Sequence, residues 1–207
     1  MNNKRIARIE RNTKETEIKI ALTVEGTGKS EITSDIGFFN HMLELFSKHG
    51  LFDLKADVKG DLEVDQHHTV EDTGMALGNA FNVALEDRRG IKRTGFFIQP
   101  MDEALVMVAI DISGRPFLRL DAAIQGREVG DFTAVLLEDF FQGLANSLGA
   151  AIHIQVYYGR SDHHKIEAIF KAFGRALKSA CEIEDRIRNE IPSTKGAIYL
   201  STEPETC

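Results

Sequence analysis

The sequence writes one uncommon pattern twice, and that repetition constrains the fold more than any other feature. "DQHHTVEDTG" holds His67, His68 and Glu71; "DHHKIEAIF" holds His163, His164 and Glu167 at the same internal spacing. A lone histidine pair near a helix start is ordinarily solvated surface. Two pairs with the same glutamate spacing point to an internal duplication, which the flanking sequence should then repeat.

It does. "ETEIKIALTVEG" alternates Ile18, Ile20, Leu22 and Val24 with polar or small residues, the period of a half-buried strand. "GFFNHMLELFSKHG" reads as a helix ending at Gly50, with Phe38, Met42, Leu45 and Phe46 as its apolar stripe and His41, Glu44 and Lys48 on the other side. "LFDLKADVKGDLEV" supplies one or two strands. A second helix over "HHTVEDTGMALGNAFNVALEDRRG" turns Val70, Leu77, Phe81 and Ala84 inward. The order then repeats: strands in "EALVMVAIDISGRPFLRL", a helix in "DFTAVLLEDFFQGLANSLG" ending at Gly149 as the counterpart of Gly50, a strand in "AIHIQVYYG", and a helix after "DHH" with Ile166, Ile169, Phe170, Phe173 and Leu177 on its core face. The reading is an α/β (α+β) chain in two similar halves, 1–92 and 93–190, each a sheet covered by two helices, with 191–207 as a C-terminal loop and tail.

Composition excludes other classes. At 207 residues the chain can bury a sizeable core, and a net charge of −7 gives no basic footprint for nucleic acid. No apolar run approaches the roughly 20 residues of a membrane helix, so no membrane partner is expected. Cys181 and Cys207 read as incidental thiols, which fits a reducing cytoplasm. The polar tail "STEPETC" is expected to fray.

With Asp65 and Asp162 as N-caps, each HH-x-x-E opens a helix. His67 and Glu71 then share a face, as do His163 and Glu167, while His68 and His164 point about 100° away. Adjacent histidines therefore serve two ions better than one. His41 and His153 bring the total to six histidines and two glutamates, four per ion in a two-metal site. Imidazole and carboxylate without thiolate suit octahedral Mn²⁺ or Fe²⁺ better than structural zinc and leave positions open for a substrate. Arg93, Arg115 and Lys195, with Ser193 beside it, sit in turn-like segments that can hold a phosphate.

"FFNHMLELFSKHG", "DQHHTVEDTGMALG", "MDEALVMVAIDISGRPFL", "HHKIEAIFKAFGRAL" and "PSTKG", in this order, resemble the imidazoleglycerol-phosphate dehydratase family of histidine biosynthesis. The resemblance implies two four-stranded sheets, each with two helices, and dehydration of imidazole glycerol phosphate to imidazole acetol phosphate with two manganese ions. It also implies a homo-oligomeric shell of about 24 subunits with sites shared between them. Carried over, the metal ligands are His41, His67, His68, Glu71, His153, His163, His164 and Glu167; the phosphate grip is Arg93, Arg115, Ser193 and Lys195. The implied acid/base residue is Glu15, in "TKET", whereas the residues alone do not choose among Glu15, Glu17 and Glu103. Chemically, a metal-bridging imidazolate would let elimination run through a diazafulvene-like intermediate. Leu45 departs from the family, in which many members carry a polar residue there. A dinuclear phosphate-ester hydrolase would want similar clusters but would release phosphate. A metal-storing shell would have no use for the Arg and Lys residues.

Overall fold

The computed structural model describes residues 4–198; the tail with Cys207 lies outside the described residues. The first half comprises β1 (Ile6–Asn12), β2 (Thr16–Thr23), β3 (Ser30–Thr33), α1 (Gly37–Gly50), β4 (Asp53–Gly60) and α2 (His67–Ala84). The second comprises β5 (Thr94–Met101), β6 (Ala104–Asp111), β7 (Phe117–Asp121), a small hairpin of β8 (Glu128–Val129) and β9 (Phe132–Thr133), α3 (Leu136–Leu148), β10 (Ala151–Tyr158) and α4 (Asp162–Cys181). The sheets run β1-β2-β4-β3 and β5-β6-β10-β7, each with two antiparallel pairings and one parallel one. The duplication extends to strand order and direction.

Alternation locates β2: Ile18, Ile20, Leu22 and Val24 are all buried. Strands β1, β3 and β5 carry no such clean alternation and are added by the structure. The third helix starts later than its sequence pattern suggests, because residues before Leu136 form the β8–β9 hairpin. That hairpin caps α1 in place of a local residue: Gly37 and Phe38 donate their amides to the Asp131 carboxylate at 2.6 and 2.8 Å.

Helices pack across the halves, α2 on α3 and α1 on α4. A Cβ at Gly74 or Gly78 would lie 2.2 and 2.5 Å from the Phe140 and Leu144 carbonyl oxygens, so only glycine allows the α2–α3 approach. One core results. Phe46 of α1 meets Phe52 and Phe81 of its own half and Phe173 of the other at centroid distances of 5.2, 6.0 and 5.4 Å. A fully buried Phe is worth about 3 kcal/mol at most in transfer, and Phe46→Ala would cost about 3–5 kcal/mol with its cavity. The stripe read for α1 is wider than expected: Phe39 and Leu43 are fully buried, and Leu45 only partly so, because α1 is covered by both a sheet and α4.

Two end signals differ from the sequence reading. Leu51, not Gly50, takes the left-handed cap position of α1 (φ 57°), as Gly149 does for α3 (φ 67°). Gly50 is a packing glycine, since a Cβ there would lie 2.4 Å from the Phe52 ring. Ser161, not Asp162, is the N-cap of α4, accepting from the His164 amide at 3.4 Å. Asp65 likewise precedes the cap position Gln66, although its carboxylate does accept the His67 amide at 2.7 Å.

Candidate active site

Both histidine pairs sit in the first turn of a helix beside the end of a sheet, where a tight turn approaches them. In the second half the β5–β6 turn delivers Glu103, whose Oε2 accepts from His164 Nδ1 at 2.7 Å. Its Oε1 accepts the Arg160 and Ser161 amides at 3.2 and 2.7 Å. The His164 bond, reinforced by the Ser161 amide, pulls the Glu103 pKa down to about 2, and Glu103 in turn raises that of His164. A carboxylate held ionised in this way orients an imidazole and is a poor proton shuttle.

In the first half the same job falls to Asp61, whose oxygens lie 3.1 Å from His68 Nδ1 and raise its pKa. Glu15, on the β1–β2 turn, is more exposed and stands 4.0 Å from His68 Nε2. Glu17, the third candidate, points outward into a 2.6 Å pair with Lys19. In both histidines Nδ1 is engaged by a carboxylate, while Nε2 looks out toward a turn, 4.0 Å from Glu15 in His68 and 3.7 Å from Asp102 in His164.

Across the helix pairs, His41 Nε2 of α1 donates to Glu167 Oε1 of α4 at 3.0 Å. Glu167 is buried. Burial opposes its ionisation, but the His41 bond and the Lys171 cation outweigh that and lower its pKa. Lys171, 3.4 Å from Glu167 Oε2, gave no sequence signal. His163 packs edge-on against Phe38 at 5.1 Å. On the other helix pair, His67 lies 3.7 Å from Glu71 and 3.8 Å from Asp139 of α3. Asp139 was missed. The spacing that takes Leu51 to Gly149 also takes His41 to Asp139, so the repeat itself was the signal that could have found it.

His153 is not brought to either cluster. It stands on the outer face of the second sheet, paired in register with Ala109 and Arg119, its ring 5.4 Å from Phe117. Strand alternation turns it away from α4, so it meets such a cluster only across a contact with another chain. The phosphate candidates gather elsewhere. Arg93, at φ 68°, makes a bidentate pair with Asp111 (2.7 and 2.9 Å) and donates to Pro192 O at 3.1 Å, which ties the "PSTK" loop to it. Within that loop Ser193 Oγ accepts the Lys195 amide at 3.2 Å, and exposed Arg115 follows β6 at the same end of the sheet.

The donors suit divalent ions. Donors on one octahedral ion at about 2.1–2.2 Å sit roughly 3 Å apart, close to the His41–Glu167 separation of 3.0 Å. Among the described residues, no three His, Cys, Asp or Glu side chains converge on one point.

Fold and site together define an internally duplicated α+β enzyme with matching imidazole–carboxylate groups in its two halves. A family model described as imidazoleglycerol-phosphate dehydratase matches residues 34–177. Proteins of that name from Koribacter versatilis and Caldicellulosiruptor saccharolyticus are 53% and 50% identical, over 94% and 95% of this chain and all of each relative. The Staphylococcus aureus crystal structure superposes with a TM-score of 0.78 at 36% identity, covering 86% of this chain and 99% of that one. The Pyrococcus furiosus structure gives 0.80 at 38%, covering 91% and 99%. The chain belongs to the imidazoleglycerol-phosphate dehydratase family and is a hydro-lyase.

Proposed function

We propose that this chain dehydrates imidazole glycerol phosphate to imidazole acetol phosphate in L-histidine biosynthesis, in the cytoplasm, with two divalent ions, manganese first among them. The observation that carries the metal reading is the repeated placement of a histidine pair and a glutamate in the first two turns of α2 and α4, with His41 3.0 Å from Glu167 and His67 3.7 Å from Glu71. His41, His163, His164 and Glu167 on one side and His67, His68 and Glu71 on the other would hold the ions. Asp139 takes the place that the repeat gives it opposite His41. His153, on the outer face of the second sheet beside Phe117, would reach the ions of a neighbouring chain. When bound, the ions would stabilise negative charge developing on the substrate's imidazole ring.

The chain's own residues do the rest. The hydroxyl leaves as water from the carbon beside the ring, Glu15 moves the proton of the neighbouring carbinol carbon, and the enol so formed tautomerises to the ketone. Asp61 and Glu103 fix the rings of His68 and His164. Arg93, Arg115, Ser193 and Lys195 hold the phosphate and so fix the reacting carbon.

The phosphate group of residues sits at the start of β5, and the His163–His164 turn lies at the far end of the same sheet. Eight residues of strand separate them by about 25 Å, far more than one small phosphate ester spans. Complete sites therefore take parts from more than one chain, in a symmetric assembly for which a 24-subunit shell is our expectation. The outer face of the second sheet supports such self-association: Phe96, Ile98 and Phe117 are at least half exposed there.

The test is a ketone-product assay on chelator-stripped protein, with and without Mn²⁺. Product formed only with metal is expected; no product from protein that has rebound its metal would sink the proposal. Metal analysis of variants tests the ligand set. Asp139→Ala and His153→Ala should each lower bound metal, and a variant that keeps its full metal content loses its place in the set.

A further inference from the structure

The first half contains a buried hydrogen-bond chain that the second half lacks. Asp72, on α2 next to Glu71, is buried. Its Oδ2 accepts from the Thr16 hydroxyl at 2.6 Å and its Oδ1 from Arg11 at 2.8 Å. Thr16, also buried, has its hydroxyl 3.2 Å from that of Thr13. Thr13 Oγ1 in turn accepts the Glu15 and Thr16 amides at 3.1 and 2.9 Å. The chain thus runs without a break from the helix bearing His67, His68 and Glu71 to the backbone of Glu15.

At the repeat-related positions of the second half stand Ala104 for Thr16 and Ala168 for Asp72. There the turn carboxylate, Glu103, needs no separate lock, because its own oxygens are tied to His164 and to two amides. Glu15 has no such tie. Its turn is placed from behind and its carboxylate left open.

We propose that Asp72, acting through Thr16, is a positioning residue that fixes the distance from Glu15 to the histidine pair on α2. This rests on Glu15 as the acid/base residue. A lock of this kind matters because misplacing a reacting group by about 1 Å can cost about 100-fold in rate. Asp72 and Thr16 touch neither substrate nor metal in this arrangement; they act by geometry.

The experiment compares Thr16→Val, Thr16→Ser and Glu15→Gln, alone and with Thr16→Val added to Glu15→Gln. Thr16→Val should lower kcat about 10- to 100-fold with KM, metal content and assembly size held, and Thr16→Ser should return most of the loss. In the Glu15→Gln background Thr16→Val should add almost nothing. Hydrogen exchange on metal-free protein gives a readout independent of turnover: amides 15 and 16 should exchange faster in Thr16→Val while the body of α2 is unchanged. Unchanged exchange, or a kcat loss that multiplies with that of Glu15→Gln, overturns the positioning role. If Glu15→Gln itself keeps full turnover, the acid/base assignment fails instead, and the positioning proposal falls with it even where exchange shows the turn is held.

Discussion

The two sheets share strand order and register pattern but present opposite surfaces to the outside. On the first, Glu10 faces Lys19 across β1 and β2, Glu31 pairs with Lys55 at 2.7 Å, and Asp57 and Lys59 continue the charged face. On the second, Phe96, Ile98, Met107, Phe117 and Tyr157 occupy the outward positions. Inward residues are alike, because both sheets cover the same helix layer. The common core thus holds the inward faces alike, while the outward faces differ, one charged and the other apolar.

The strongest way to break this comparison is to give the second sheet the first sheet's surface. Phe96→Glu with Phe117→Glu should disperse the assembly, since buried aromatic anchors at interfaces are worth about 2–4 kcal/mol each. Activity should fall with it if sites are shared. Lys19→Glu on the first sheet should leave the particle size unchanged in light scattering. A double variant of undiminished size would remove this face from the assembly.

The turn carboxylates sharpen the contrast at the level of chemistry. Glu15→Gln should lower kcat by about 10²–10⁴ while metal binding holds. Glu103→Gln should instead weaken metal affinity by about 10- to 100-fold, with turnover returning toward the parent value at high Mn²⁺. Titrating Mn²⁺ against rate for both variants separates the two roles. Parallel curves would mean that the halves had not divided their labour.

Much of this is legible in the amino-acid sequence alone. Strand alternation and helical stripes place β2, β6, β10 and the four helices, because a two-sided element prints its period in the sequence. The histidine–glutamate pairs are legible because they are rare and repeated. Asp139 is not, for a single aspartate on a helix carries no pattern, and only alignment through the repeat exposes it. His153 stands on an alternating strand whose period already points it away from the core, but no period says what it meets there. The different settings of Glu15 and Glu103 depend on where Asp61, Arg160 and Thr16 fall in space, and no one-dimensional spacing records that.

The smallest effect comes from the helix ends, where the halves solve one problem with different residues. Leu51 and Gly149 occupy the same left-handed position, at φ 57° and 67°. A side chain there costs about 1–2 kcal/mol, whereas glycine adds only the entropy of a freer unfolded chain, about 0.5–1 kcal/mol. Leu51 is 42% exposed, so its removal sacrifices limited burial. Leu51→Gly should thus be neutral to stabilising by about 1 kcal/mol at most. Gly149→Ala should destabilise by about 1–2 kcal/mol, because it puts a side chain at a positive φ, and the new Cβ would press on Arg88 Nη2 at 3.3 Å. Urea unfolding midpoints with a common m-value would read both. Clear destabilisation by Leu51→Gly would mean that its partly covered side chain outweighs the strain, and that this cap was kept for packing rather than merely tolerated.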